Sequence, residues 1–239
     1  MIVSKIAVIS YNVPHRKTQD VLNGLKAKGY NNVKVFALPF VKRENPFVPI
    51  YQHRPSKAIQ ITPKDYCTNF GYDFELTSFD TIFSQLESFQ PEYIIIAGAG
   101  LLPDELVDNY KIINTHPGFL PFTRGLDSLK WAIVNGVEIG VTTHFVDKEA
   151  DAGFLIEQQH VPVYDNDTFH SVAQRQYETE IEMLINAIEL IPTINNFTSL
   201  SSEDYVATRR MPKSIEKKLL IAFEGYKQKF KIKNYLSVT

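Results

Sequence analysis

The chain has 239 residues, 44% of them hydrophobic, with 25 Lys+Arg against 27 Asp+Glu, a composition that fits one packed domain with a short appendage. No run reaches the roughly 18 to 20 apolar residues of a membrane span, Met1-Ile2-Val3 leads into a strand pattern without signal-peptide regions, and the single Cys67 allows neither an internal disulfide nor a cysteine-built zinc site, so a cytoplasmic protein is expected. Residues 209–239 carry 9 of the basic and 2 of the acidic side chains, which leaves nucleic acid, a membrane surface or a phosphorylated small molecule as possible partners of that basic end.

Strand and helix patterns then alternate. Residues 5–10, Lys-Ile-Ala-Val-Ile-Ser, form the β-branched run of a strand buried on both faces. Residues 18–28 read as a helix with Val21, Leu22 and Leu25 on one side and Gly29 as its stop. A second strand is expected at 33–37. Five prolines between Pro39 and Pro63 predict an extended excursion containing one strand at 58–61. Ile82, Phe83, Leu86 and Phe89 recur at helical spacing before Pro91. Residues 93–98 form a buried strand running into a loop at 99–103, followed by a short helix and a strand at 111–114. Two further strands are expected at 140–146 and 154–163. Asp167 is placed as the N-cap of a long helix that reaches Ile191 and is closed by Pro192. This order predicts an α/β fold with a Rossmann-like, mostly parallel, doubly wound sheet, whose ligands sit beyond the carboxyl ends of the strands. The main domain is expected over 1–192, with 193–239 as a short C-terminal extension.

Chemistry concentrates in Asn114-Thr115-His116-Pro117-Gly118-Phe119-Leu120-Pro121-Phe122-Thr123-Arg124-Gly125 and in His144-Phe145-Val146-Asp147-Lys148-Glu149-Ala150-Asp151-Ala152-Gly153. Asn114 and His116 end a strand two residues apart, so an amide and an imidazole share one face. Asp151 opens another strand and can bring a carboxylate to the same place. An imidazole moves protons near neutral pH, an amide N–H donates to a developing oxyanion, and a carboxylate steadies the imidazole's charge or relays a proton through water. The three make an acyl-transfer set without a covalent nucleophile.

Asn-x-His-Pro-x-x-Leu-Pro-x-x-Arg-Gly, followed by His-Phe-Val-Asp and then Asp151-x-Gly153, resembles the 10-formyltetrahydrofolate-dependent formyltransferase family. The likeness extends upstream to Ala97-Gly98-Ala99-Gly100-Leu101-Leu102-Pro103, and covers about residues 90–163. The resemblance implies that Asn114, His116 and Asp151 are the catalytic trio, that N10-formyltetrahydrofolate is the co-substrate, and that no metal takes part. It also implies a pteridine pocket formed largely by backbone, from Gly98, Ala99, Gly100, Leu101 and Leu102 on one side and Val146, Asp147, Lys148 and Ala150 on the other.

The acceptor is narrowed by what the sequence lacks. A methionyl-tRNA enzyme of this family would carry a further tRNA-binding barrel, and a formyl-folate hydrolase a preceding regulatory domain. The glycinamide ribonucleotide enzyme carries a glycine-rich phosphate loop after its first strand, where backbone N–H groups receive the phosphate; here that stretch reads Ser10-Tyr11-Asn12-Val13-Pro14-His15-Arg16-Lys17. The sugar N-formyltransferase branch remains, acting on nucleotide-linked amino sugars, for example a dTDP-4-amino-4,6-dideoxyglucose of O-antigen biosynthesis. The segments from Arg124 to Ile133 and from Tyr205 to Pro212 resemble that branch, although Lys213-Ser214 stands where an acidic pair is usual. Arg124 is the first candidate for a phosphate contact, because guanidinium offers bidentate geometry. Arg16, Lys17, His53 and Arg54 are further candidates, each equally readable as a solvated charge. Trp131 reads as core, and His144 as a packed histidine. A non-catalytic folate- or nucleotide-binding protein of the same fold, or a formyltransferase acting on another small amine, are the rival readings.

In residues 214–233 the apolar Ile215, Leu219, Leu220, Phe223, Tyr226 and Phe230 recur at helical intervals with lysines between them. That pattern fits an amphipathic element packed on a core or on a second subunit. A homodimer is expected, and a nucleic-acid partner is not.

Overall fold

The computed structural model describes residues 4–42, 44–148, 153–200 and 205–232. Eight strands form one sheet in the order β3-β2-β1-β4-β5-β6-β7-β8. β1 (Ile6–Tyr11), β2 (Val33–Leu38), β3 (Asp73–Leu76), β4 (Tyr93–Ile96) and β5 (Ile112–His116) pair parallel. β6 (Gly140–Phe145), β7 (Gly153–His160) and β8 (Thr198–Leu200) extend the sheet antiparallel from β5. The apolar runs follow from burial on both faces. Ile6 and Val8 pack with Val21, Leu22 and Leu25 of α1 (Arg16–Ala27) and with Leu184 and Ile188 of α6 (Phe169–Leu190). The alternate Ala7 and Ile9 pack on the other face with Ile82 and Leu86 of α3 (Ile82–Phe89) and Leu106 of α4 (Asp104–Asn109).

Three expectations are corrected. Residues 58–61 are not a strand, because the Gln19 side chain takes the place of a neighbouring strand: it accepts the Ile59 N–H at 2.9 Å and donates to the Ile59 carbonyl at 2.8 Å. A helix, α2 (Pro63–Phe70), follows, capped by Thr62, and leads into β3, whose four residues are too few and too polar to read as a strand in the sequence. The long helix starts one residue later than expected, with Thr168 as its cap and Ser171 reciprocating in a capping box. Asp167 instead takes a bidentate pair from Arg175, at 2.9 Å for each bond.

After β8, residues 205–211 run extended beside Gly125 and lead into α7 (Lys213–Glu216) and α8 (Leu219–Phe230). Leu219, Phe223 and Tyr226 are buried against Leu129 and Ile133 of α5 (Ser128–Asn135) and against Val161 and Phe169. The apolar stripe of the basic end therefore packs on this chain's own core. Among the described residues, three of its lysines return to the body: Lys227 donates to the Asp167 carbonyl at 3.0 Å, Lys229 donates to the Gly136 carbonyl at 3.2 Å, and Lys231 pairs with Asp165 at 2.7 Å. Among the described residues, no helix is long and apolar enough to cross a membrane.

Candidate active site

A cleft of about 760 Å³ opens at the carboxyl ends of β1, β4 and β5. Asn114 and His116 end β5 on the face that borders it. β6 lies antiparallel beside them, with Asn114 opposite His144 and His116 opposite Thr142. The His144 Nδ1 lies 3.2 Å from the Phe145 carbonyl, which only accepts, so the proton sits on Nδ1 and Nε2 faces the Asn114 amide nitrogen at 3.4 Å as its acceptor. His144, read from the sequence as a packed histidine, is 1% exposed and orients Asn114 from behind.

The His116 Nε2 lies 2.7 Å from the Thr123 carbonyl and 3.2 Å from the Ser128 hydroxyl. The carbonyl fixes a proton on that nitrogen by the same reasoning. The loop that supplies the carbonyl is pinned at several points. Thr142 donates to the Gly118 carbonyl at 2.8 Å and accepts the Leu120 N–H at 3.0 Å, Gln158 donates to the Leu120 carbonyl at 2.6 Å, and Gln176 donates to the Pro117 carbonyl at 3.0 Å. Gly118 permits the close approach: a Cβ there would stand 2.6 Å from the Thr123 carbonyl oxygen and 2.7 Å from the His116 Nε2.

Of the residues expected to contact the pteridine, Gly98, Ala99, Gly100 and Leu101 line the cleft. Gly98 is crowded by Tyr11 and His15, each 3.0 Å from where a Cβ would stand. Leu102 and Val146 pack with the α3–α4 side of the core. Lys148 pairs with Asp108 at 2.9 Å, largely in solvent, and is not among the residues lining the cleft. Ala150 and Asp151 lie outside the described residues, so the third member of the expected trio has no position here.

The opposite wall is cationic. Lys17 and Arg54 both pair with Glu180, at 2.8 Å and 2.7 Å, and Arg54 stacks over the Tyr177 ring. Glu180 is 1% exposed; burial pushes its carboxyl up, but Arg54 and Lys17 outweigh this and hold it down at about 2. His53 also lines the cleft, 4.0 Å from Asp127, and burial followed by the Lys130 ammonium lowers it to about 4. Two other expected contacts lie elsewhere. Arg16 pairs with Asp20 at 2.7 Å in the groove between α1 and α6. Arg124 is buried and donates to the Tyr205 carbonyl at 3.2 Å, tying the 205–211 segment to the site.

Sequence reasoning passed over Glu180, Asp127, Gln176 and Glu216. Glu180 and Gln176 carried a signal: both fall on the apolar stripe of α6, at helical spacing with Tyr177 and Leu184, where an unsolvated polar group needs a partner. Asp127 has a left-handed backbone (φ 56°), accepts the Met211 N–H at 2.9 Å, and so anchors the C-terminal segment. No group of three metal-ligating side chains occurs among the described residues.

Comparison with known proteins places the chain in a family. Residues 4–188 match the family described as Formyl transferase. A methionyl-tRNA formyltransferase of Fusobacterium nucleatum is 34% identical over 47% of this chain, and the match covers only 37% of that protein's length. The phosphoribosylglycinamide formyltransferase of Bacillus subtilis is 32% identical over 60% of this chain and 72% of its own. A Mycobacterium tuberculosis structure, described as a candidate sugar N-formyltransferase, superposes with a TM-score of 0.60 at 19% identity, over 87% of this chain and 76% of that one. That likeness speaks to the fold, whereas the match over 4–188 takes in Asn114, His116 and the loops around them. This chain belongs to the formyl transferase family.

Proposed function

We propose that the chain transfers a formyl group from N10-formyltetrahydrofolate to the primary amine of a nucleotide-linked dideoxy-amino sugar, of the dTDP-4-amino-4,6-dideoxyglucose type used in O-antigen assembly. One observation carries the reading: Asn114 and His116 line one cleft with a neutral backbone loop at 98–101 and a cationic wall of Lys17 and Arg54. The neutral wall suits a flat folate head, and the cationic wall an anionic acceptor.

In this reading the amine attacks the formyl carbon. Asn114, held by His144, donates its second amide hydrogen to the oxygen as charge develops there. His116 keeps Nε2–H on the Thr123 carbonyl, so Nδ1 is the atom that takes and returns protons. The proton lost by the amine is delivered to the departing N10, with Asp151 assigned to this relay by the family motif. The products are the N-formyl amine and tetrahydrofolate.

The Bacillus relative keeps a ribonucleotide acceptor in play. Against it, Pro14, His15 and Arg16 fill the turn after β1 where a glycine-rich phosphate loop would sit. The test is incubation with N10-formyltetrahydrofolate and a panel of dTDP- and UDP-linked amino sugars together with glycinamide ribonucleotide, read by mass spectrometry. A formyl mass gain on one nucleotide sugar is expected. Gain on glycinamide ribonucleotide alone would overturn the acceptor assignment.

A further inference from the structure

A second cavity, of about 820 Å³, opens at the carboxyl ends of β1, β2 and β3, next to the catalytic cleft. Tyr11, Gly100 and Arg210 line both, so the two spaces adjoin. Its walls are aromatic: Phe40 is 50% exposed and Phe79 is 46% exposed, and Phe47 completes the set. Large apolar side chains gathered in a concave, solvent-facing site mark a binding surface. The Tyr11 ring meets Phe40 edge-on at 5.3 Å, which joins this aromatic wall to the end of β1.

Charge gives the cavity a direction. At the junction the Arg210 guanidinium lies 5.4 Å from the Phe47 ring centre and 3.5 Å from Asp127. Lys17 and Arg54 stand on the cleft side of that junction. Lys42 lines it from the segment that follows β2, and Ser78 and Asp80 line it from the segment that follows the edge strand β3. A carboxylate there repels phosphate and accepts from ring N–H or amino groups.

The geometry points to a nucleoside-diphosphate subsite, with the diphosphate at the Arg210 junction and the base among Phe40, Phe47 and Phe79, its polar edge toward Ser78 and Asp80. Resting on the acceptor reading above, this places the amino sugar in the catalytic cleft and its nucleotide carrier in the second cavity. The aromatic walls supply stacking, which every base accepts, and the rim groups supply the choice among bases.

The test is calorimetric binding of dTDP and of UDP to the full chain, with inorganic pyrophosphate as the ring-free control. Phe40→Ala/Phe79→Ala removes two half-exposed rings, and unchanged circular dichroism and melting would verify its fold. The double variant is expected to weaken dTDP or UDP binding at least ~10-fold, the usual scale for lost base stacking, and to leave pyrophosphate binding as in wild type. Arg210→Ala is expected to weaken both. If wild type binds a nucleoside diphosphate and the double variant binds it equally well, the subsite is wrong while the acceptor reading stands. If wild type binds neither nucleotide at millimolar concentration, both fail.

Discussion

Replacement of Glu216 by alanine is expected to be among the most damaging single changes outside the cleft. Its carboxylate and the Lys130 ammonium lie 2.5 Å apart with both side chains fully buried. The same carboxylate accepts the Ile50 N–H at 3.0 Å and the Tyr51 N–H at 3.2 Å, so α7 holds α5 and the proline-rich loop together. Deleting one member of a buried ion pair costs about 3 to 5 kcal/mol, because the other charge stays inside without its counterion. Each orphaned backbone N–H adds about 1 to 3 kcal/mol where water does not replace the lost acceptor, and partial exposure at Ile50 trims this. The expected total is about 4 to 6 kcal/mol. At about 2 to 4 °C per kcal/mol for a chain of this length, melting falls by about 10 to 20 °C.

Lys130→Met leaves the carboxylate with two N–H donors and is expected to cost less. Burial pushes the Glu216 carboxyl up, but the Ile50 N–H, Lys130 and the Tyr51 N–H outweigh it and keep it below its ordinary value. Its contribution is therefore complete above the ordinary carboxylate value and is lost as pH falls through the lower folded value, so the wild-type advantage over Glu216→Ala narrows in acid. Urea and thermal unfolding followed by circular dichroism measure all of this. A loss below about 1 kcal/mol, within the range of ordinary surface changes, would refute the reasoning.

His116→Ala and Asn114→Ala are each expected to lower kcat at least ~10²-fold in the formyl-transfer assay, the scale of a general base and of an oxyanion donor; wild-type-like turnover in either would reject its role. Gly118→Ala drives a methyl against the Thr123 carbonyl and the His116 ring, so about 1 to 3 kcal/mol of stability should be lost together with most of the turnover, and an active, equally stable variant would contradict the close approach. His53 is buried and held to about 4. The unfolded chain binds a proton near the ordinary histidine value, so stability falls as pH drops from there toward the folded value. His53→Gln should abolish about 1 to 2 kcal/mol of the difference between pH 7 and pH 5, with urea midpoints as the check. Thr168→Ala removes the α6 cap and should cost about 1 kcal/mol, measurable in the same unfolding experiment.

What was legible in the sequence is what local pattern encodes. Ile6 to Ile9 read as a two-face-buried strand because alternate residues must go to opposite sides, and both sides were apolar. Asn114 and His116 could be paired from sequence, since two residues along a strand return to the same face. The stretch at 58–61 misled because its β-branched residues fit a strand, while a side chain 40 positions away had already taken the Ile59 backbone groups. β3 escaped because Asp-Phe-Glu-Leu, although it alternates, is only four residues long.

The acceptor side of the site was a matter for the tertiary structure. Lys17 and Arg54 looked like loose surface charges until the fold brought Glu180 between them, 126 residues away from Arg54 in sequence. Arg124 looked like the phosphate ligand until residues 205–211 closed over it, and Arg210 gained its place at the junction of the two cavities by the same closure. The sequence by itself determined the central strands β1, β2, β4 and β5, the helices α1, α3 and α6, and the Asn114–His116 pair, since periodicity and spacing act over a few residues. Which charges meet, and which face the cleft, depends on separations the chain spans only once folded, when burial makes an unpaired charge too costly to keep.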